Sequence, residues 1–161
     1  MKFSILTRSI MIISGLILCL LPPAVPARST ELVEPDPVTI NCSLPAEKME
    51  EGIKDGGTVR GWKVVAKSPG NVELRYSKAD DKHVITVNVS YTANTFAVTY
   101  KDSVNLNYRV EEGGVSFDED GDIVADDGNR DGIRYIHPRP VGWMKNLSKD
   151  IQGSANSYCS K

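Results

Sequence analysis

From Trp62 onward, apolar and polar residues alternate with a period of two through four successive runs, the spacing of strands that have one buried and one wet face. Trp62 to Lys67 forms the first run, and Ser68-Pro69-Gly70-Asn71 ends it with a turn. Val72, Leu74 and Tyr76 then alternate with Glu73, Arg75 and Ser77 before Asp80-Asp81-Lys82 turns the chain again. Ile85, Val87, Val89 and Tyr91 alternate with Thr86, Asn88 and Ser90. Beyond Thr92-Ala93-Asn94, Phe96, Val98 and Tyr100 alternate with Thr95 and Thr99. The pattern predicts an antiparallel meander of about four strands, and its apolar side requires a cover.

Two stretches with helical spacing supply that cover. After Ser43 and Pro45, the residues Ala46, Met49 and Ile53 recur at intervals of three and four, which places them on one helix face. Gly52, Gly56 and Gly57 each weaken a helix by about 1 kcal/mol against alanine, so this helix is expected to fray near Gly56. Further on, Pro138 suits a first helical turn, and Trp143, Leu147 and Ile151 follow at four-residue spacing. They predict a second helix from about Arg139 to about Gly153, with Trp143 and Met144 supplying most of its buried surface. The fold class is α+β: N-terminal helix, meander and C-terminal helix, with both helices on one face of the sheet. Val38 to Asn41 reads as a short strand ahead of the first helix.

The chain ahead of this core divides in two. Lys2 and Arg8 give a positive start, Ile10 to Leu21 form an apolar run ended by Pro22 and Pro23, and Val25-Pro26-Ala27 offers a small-residue exit. This is the form of a cleavable secretory signal over residues 1–27, since a spanning helix needs about 20 apolar residues. Cys19 lies at a depth suited to lipid attachment, but Leu18 precedes it where a small residue is expected. Cleavage after Ala27 is the expectation, leaving no stable membrane anchor and a periplasmic or secreted protein. Residues 28–37 carry Pro35 and Pro37 without apolar periodicity and read as a flexible leader. The remaining 38–161 has the length of a single domain.

Cys42 and Cys159 survive removal of the signal. An even count in an oxidising compartment favours pairing, against the alternative of free or intermolecular thiols. Charge narrows the partners further. The full chain has 19 basic and 21 acidic residues, so losing Lys2 and Arg8 leaves 17 against 21. That balance argues against nucleic-acid binding through phosphate neutralisation and offers no basic patch for anionic lipid.

Residues 111–132 differ in kind. Asp118, Glu119, Asp120, Asp122, Asp126, Asp127 and Asp131 crowd together with Arg130 as the one basic residue, the composition of a solvated acidic insertion. Val115, Phe117, Ile123 and Val124 allow a small hairpin within it. Asp127-Gly128-Asn129-Arg130-Asp131-Gly132 matches the opening of a calcium loop, in which oxygen ligands alternate and glycine permits a sharp turn. Asp127, Asn129 and Asp131 are therefore candidate calcium ligands. The twelfth position is Pro138, however, where an EF-hand needs a bidentate glutamate, and no other cofactor is indicated.

No Gly-x-Ser-x-Gly, His-Glu-x-x-His or phosphate-cradling glycine loop occurs. His83 and His137 are the only histidines. A paired metal or acid/base site would need the start of a strand to meet the cap of the last helix, and the two read instead as isolated structural histidines.

Three motifs in order, Arg60-Gly61-Trp62, Tyr100-Lys101-Asp102-Ser103-Val104-Asn105-Leu106-Asn107-Tyr108, and Ile136-His137-Pro138 leading to Trp143 and Leu147, give the chain a wider resemblance. It resembles a family of small bacterial exported proteins, often lipoproteins, over most of residues 43–152. The resemblance implies an envelope location and a fold but no reaction. Two features depart from it: the acidic insertion replaces a short link, and the lipobox is not met. With a bacterial host implied, Asn41-Cys42-Ser43, Asn88-Val89-Ser90 and Asn146-Leu147-Ser148 are accidental glycosylation triplets.

Asp102, Ser103 and Asn105 bond readily to nearby backbone and suit the end of a strand. With Arg60, Tyr100 and Tyr108 they are also the candidate ligand-binding residues, because loops often carry binding groups. The functional expectation is an exported binding or interaction domain at the bacterial envelope, without catalytic activity, whose partner is an envelope protein or a small ligand. The alternatives are a calcium-stabilised structural module and a small envelope enzyme or inhibitor.

Overall fold

The alternating runs from Trp62 onward become four long antiparallel strands in the computed structural model, which describes residues 28–111, 116–117, 123–125 and 132–160. In chain order the elements are β1 (Thr30–Glu31), β2 (Val38–Thr39), α1 (Ala46–Val59), β3 (Lys63–Ser68), β4 (Asn71–Lys78), β5 (His83–Tyr91) and β6 (Thr95–Val104). β7 (Arg109–Glu111), β8 (Ser116–Phe117), β9 (Ile123–Ala125), β10 (Ile133–Ile136) and α2 (Pro138–Tyr158) complete the chain. The main sheet has five strands in the order β2-β6-β5-β4-β3, so the meander gains β2 along its β6 edge.

Register explains which side is covered. Val72 lies opposite Val89, Leu74 opposite Val87 and Tyr76 opposite Ile85, and Val89 and Val87 in turn face Val98 and Tyr100. Because side chains alternate along a strand, these residues share one face. On that face α1 and α2 pack against the sheet and against each other, as the α+β pattern requires. Val72, Leu74, Ile85, Val87 and Val89 are fully buried beneath Met49 and Ile53 of α1 and Met144, Leu147 and Ile151 of α2.

Both helices run past the ends expected from the sequence. α1 continues through Gly56 to Val59 because Gly52, Gly56 and Gly57 are buried rather than solvated. A β-carbon on Gly52 would lie 2.9 Å from the Ala155 Cα, so the helices approach through positions that only glycine fits. α2 passes Gly153 and runs to Tyr158, with Ala155 fully buried. Met144 is buried as expected, whereas Trp143 is only half-buried and borders a groove.

The segment 28–37, expected as a flexible leader, is docked. Thr30 and Glu31 pair with Ile136 and Tyr135 of β10, and Leu32 is buried in the core. Glu34 accepts the Tyr100 backbone N–H at 2.9 Å and meets Arg134 at 3.3 Å. Two residues pairing with a short strand leave no periodic signal in the sequence, which is why the docking was not expected.

β1, β10 and β7 form a second, three-stranded sheet. β7 and β10 are the arms that carry the acidic insertion, and β8 pairs with β9 as the small hairpin expected around Phe117 and Ile123. Cys42 and Cys159 are joined by a disulfide with a Cα–Cα distance of 5.6 Å, tying the entry of α1 to the end of α2. Residues 1–27, read as the signal, lie outside the described residues. Among the described residues no helix is long and apolar enough to cross a membrane.

Candidate ligand-binding groove

The Arg60-Gly61-Trp62 motif is the carboxyl cap of α1. Trp62 N–H donates to Gly57 O at 3.0 Å and Gly61 N–H to Thr58 O at 3.0 Å, with Gly61 at φ +84°, the two bonds of a Schellman cap. The cap turns Trp62 into the core at 3% exposure and leaves Arg60 at the rim, where its Nε donates to Asp150 Oδ2 at 2.5 Å.

Asp102, Ser103 and Val104 end β6, as the sequence led one to expect, and the motif then turns through Asn105 and Asn107. Asn105 adopts φ 56° and Asn107 φ 54°, a left-handed conformation that asparagine tolerates. This shape aims two successive carbonyls at the two histidines. Asn105 O meets His83 Nδ1 at 3.0 Å, and Leu106 O accepts the His137 backbone N–H at 2.7 Å. The start of β5 and the cap of α2 therefore do meet, and His83 and His137 are not isolated from one another.

They line one cavity of about 100 Å³ with Lys78, Asn105, Leu106, Arg139 and Trp143. No carboxylate is among these residues. A wider opening of about 470 Å³ adjoins it, lined by Val59, Arg60, Trp62, Tyr76, Lys78, Trp143 and Asn146. Lys78 and Trp143 border both, so the two form one groove at the end of β4, beside the amino end of α2. Its aromatic wall is continuous: Tyr76 lies 5.3 Å from Trp62 and 5.1 Å, edge-on, from Trp143. Lys78 Nζ stands 5.8 Å from the Trp143 ring centre, a cation–π distance.

The amino end of α2 offers this groove no free backbone donor. The His137 N–H is taken by Leu106, the Arg139 N–H donates to His137 Nδ1 at 3.2 Å, and Pro138 and Pro140 have none. Recognition here must come from side chains. A carbonyl only accepts, so His83 carries a proton on Nδ1, and its neutral ring has a lone pair on Nε2. His137 accepts at Nδ1, so its neutral ring carries the proton on Nε2. The cavity wall thus combines the cations of Lys78 and Arg139 with one imidazole that donates and one that accepts.

The candidate ligand residues from the sequence are divided by the fold. Asn105 lines the inner cavity and Arg60 the outer opening. Tyr100, Ser103 and Tyr108 form a separate cluster, with the two rings stacked at 4.7 Å and the Tyr100 and Ser103 hydroxyls 2.9 Å apart. Burial, aided by Asp102 and Tyr108, holds the Tyr100 hydroxyl above its ordinary value of 10.0, while the Ser103 hydrogen bond opposes it. Asp102 is exposed on β6. These residues close upon themselves and line neither part of the groove.

Lys78, Tyr76, Arg139, Trp143 and Asn146 were missed by sequence reasoning, since they come from β4 and two turns of α2 and no spacing links them. The clue that was present was the pair of histidines, each next to a resemblance motif or turn. Asp127, Asn129 and Asp131 lie outside the described residues; among the described residues no group of three or more metal-ligating side chains occurs. No family model, curated protein or solved structure matches this chain.

Proposed function

We propose that the chain is an exported binding domain of the bacterial envelope whose groove takes a small anionic ligand. One observation carries this reading: Lys78 and Arg139, with the donating ring of His137, gather around Trp143 on a cavity wall without a carboxylate. In a chain with more acids than bases, such a gathering favours an anion locally even though net charge opposes it. The inner cavity, at about 100 Å³, is well below the roughly 300–1,000 Å³ of sites that enclose a whole drug-sized molecule. It suits one anionic group, while the wider opening along Tyr76 and Trp143 suits the body of the ligand. The export signal in the sequence and the Cys42–Cys159 disulfide both support an oxidising compartment.

A ligand that binds only the native state raises the unfolding temperature. Thermal unfolding with cyclohexanecarboxylate and with its neutral counterpart cyclohexanecarboxamide tests the reading. Stabilisation by the carboxylate and not by the amide is expected. Equal shifts, or a shift with the amide alone, would rule out anion recognition.

A further inference from the structure

The groove specifies more than a negative charge, and we infer that its ligand is an acidic sugar, a ring that carries a carboxylate beside hydroxyl groups. This rests on the reading of the groove as an anion site. A carboxylate has only acceptor atoms. It satisfies Lys78, Arg139 and the Nε2–H of His137, all of which donate. It gives nothing to the neutral ring of His83, whose Nδ1 is held by the Asn105 carbonyl at 3.0 Å and whose Nε2 then offers a lone pair.

Asn105 adds a second acceptor: one amide N–H is committed to Lys82 O at 2.8 Å, and the side-chain oxygen beside the remaining N–H still needs a donor. A simple organic anion entering the cavity would displace water from these acceptors and leave them unpaired, which is unfavourable for any group taken out of water. A hydroxyl next to the carboxylate removes the mismatch, because it donates and accepts at once.

The wider opening matches the rest of such a molecule. It sets polar ends from Arg60, Lys78 and Asn146 against the rings of Tyr76 and Trp143. A sugar ring has the same division, with hydroxyls around its edge and C–H groups on its faces. An all-apolar ligand body would leave Arg60 and Asn146 facing hydrocarbon.

The test is an NMR titration of the purified protein with glucuronate and with cyclohexanecarboxylate at pH 8, where imidazole is ordinarily neutral. The two share a six-membered ring and a carboxylate and differ in the hydroxyls and the ring oxygen, and of these only a hydroxyl can donate to His83. Glucuronate is expected to bind about tenfold more tightly, the effect of one well-paired hydrogen bond. That preference should vanish in His83→Ala, while the same spectra report that the variant remains folded.

If cyclohexanecarboxylate binds at the groove as well as glucuronate, the acidic-sugar inference is overturned and the anion site stands. If neither moves the resonances of His83, His137 and Trp143, the anion site itself is lost. Galacturonate compared with its own tetramer separates the two sources of this chemistry. Tighter binding of the tetramer indicates a unit within a glycan chain, and weaker binding indicates a free sugar acid.

Discussion

Gly56 of α1 lies so close to Ile151 of α2 that a β-carbon on it would stand 2.5 Å from the Ile151 Cα. The contact is backbone against backbone, so no side-chain rotation relieves it. On helix propensity alone, Gly56→Ala should stabilise α1 by about 1 kcal/mol. Overpacking against a rigid neighbour costs about 1–3 kcal/mol, and the geometry makes this the larger effect. Gly56→Ala is therefore expected to lower the urea midpoint. A raised midpoint would mean that the helices are not held this closely.

The glycines show where the sequence was legible and where it was not. The meander could be read directly, because Val72, Leu74, Val87 and Val89 alternate against residues that must remain wet. The glycines of α1 were visible too, but their meaning was not: as a local signal they weaken a helix, and only the position of Ile151, far along the chain, turns them into a contact surface. The second sheet was hidden for a similar reason, since Thr30 and Glu31 are too few to show a period. For the groove, Asn105 and Arg60 could be named from their motifs, but it is the turn at Asn105–Leu106 that brings His83 to His137. Tyr100 and Tyr108 were named for the same reasons and stack on each other instead.

The docking of the leader is open to a simple test. Leu32 is 5% exposed, and its backbone N–H donates to Arg134 O at 2.7 Å. Truncating a buried leucine to alanine costs about 2–5 kcal/mol, so Leu32→Ala should lose stability near the lower end of that range. A change within experimental error would return residues 28–37 to the status of a flexible leader.

Cys42 and Cys159 close a loop with a sequence separation of 117. Constraining an unfolded chain over such a length is worth on the order of 4–5 kcal/mol in the entropic account. Chemical unfolding with and without reductant should show a loss of several kcal/mol, matched by the double variant Cys42→Ser, Cys159→Ser. Unfolding curves that coincide would show that the bond contributes nothing to stability.

Stability should also respond to pH through one hydrogen bond. Tyr91 donates its hydroxyl to Glu50 Oε1 at 2.6 Å. That bond, followed by the one from Lys67, holds the Glu50 carboxyl below its ordinary 4.5. Burial first, and then Glu50, hold the Tyr91 hydroxyl above its ordinary 10.0. A lowered carboxyl stabilises the fold fully above its unfolded value and loses that contribution as pH falls through the folded one. A raised phenol stabilises fully below its unfolded value and loses that contribution as pH rises through the folded one. The difference in melting temperature between the wild type and Tyr91→Phe should be largest around neutrality and shrink toward both extremes. A difference independent of pH would remove this bond from the account.

The central claim is that the groove between β4, β5 and α2 binds an anion through side chains. Its most direct test is a titration with cyclohexanecarboxylate, read at the side-chain resonances of His83, His137 and Trp143, in the wild type and in the Lys78→Ala, Arg139→Ala double variant. Saturable shifts are expected at all three residues, with affinity reduced about tenfold or more without the two cations, as for charge-assisted hydrogen bonds of about 1.5–3 kcal/mol. Shifts that do not saturate, or an affinity unchanged by the double substitution, would contradict the claim.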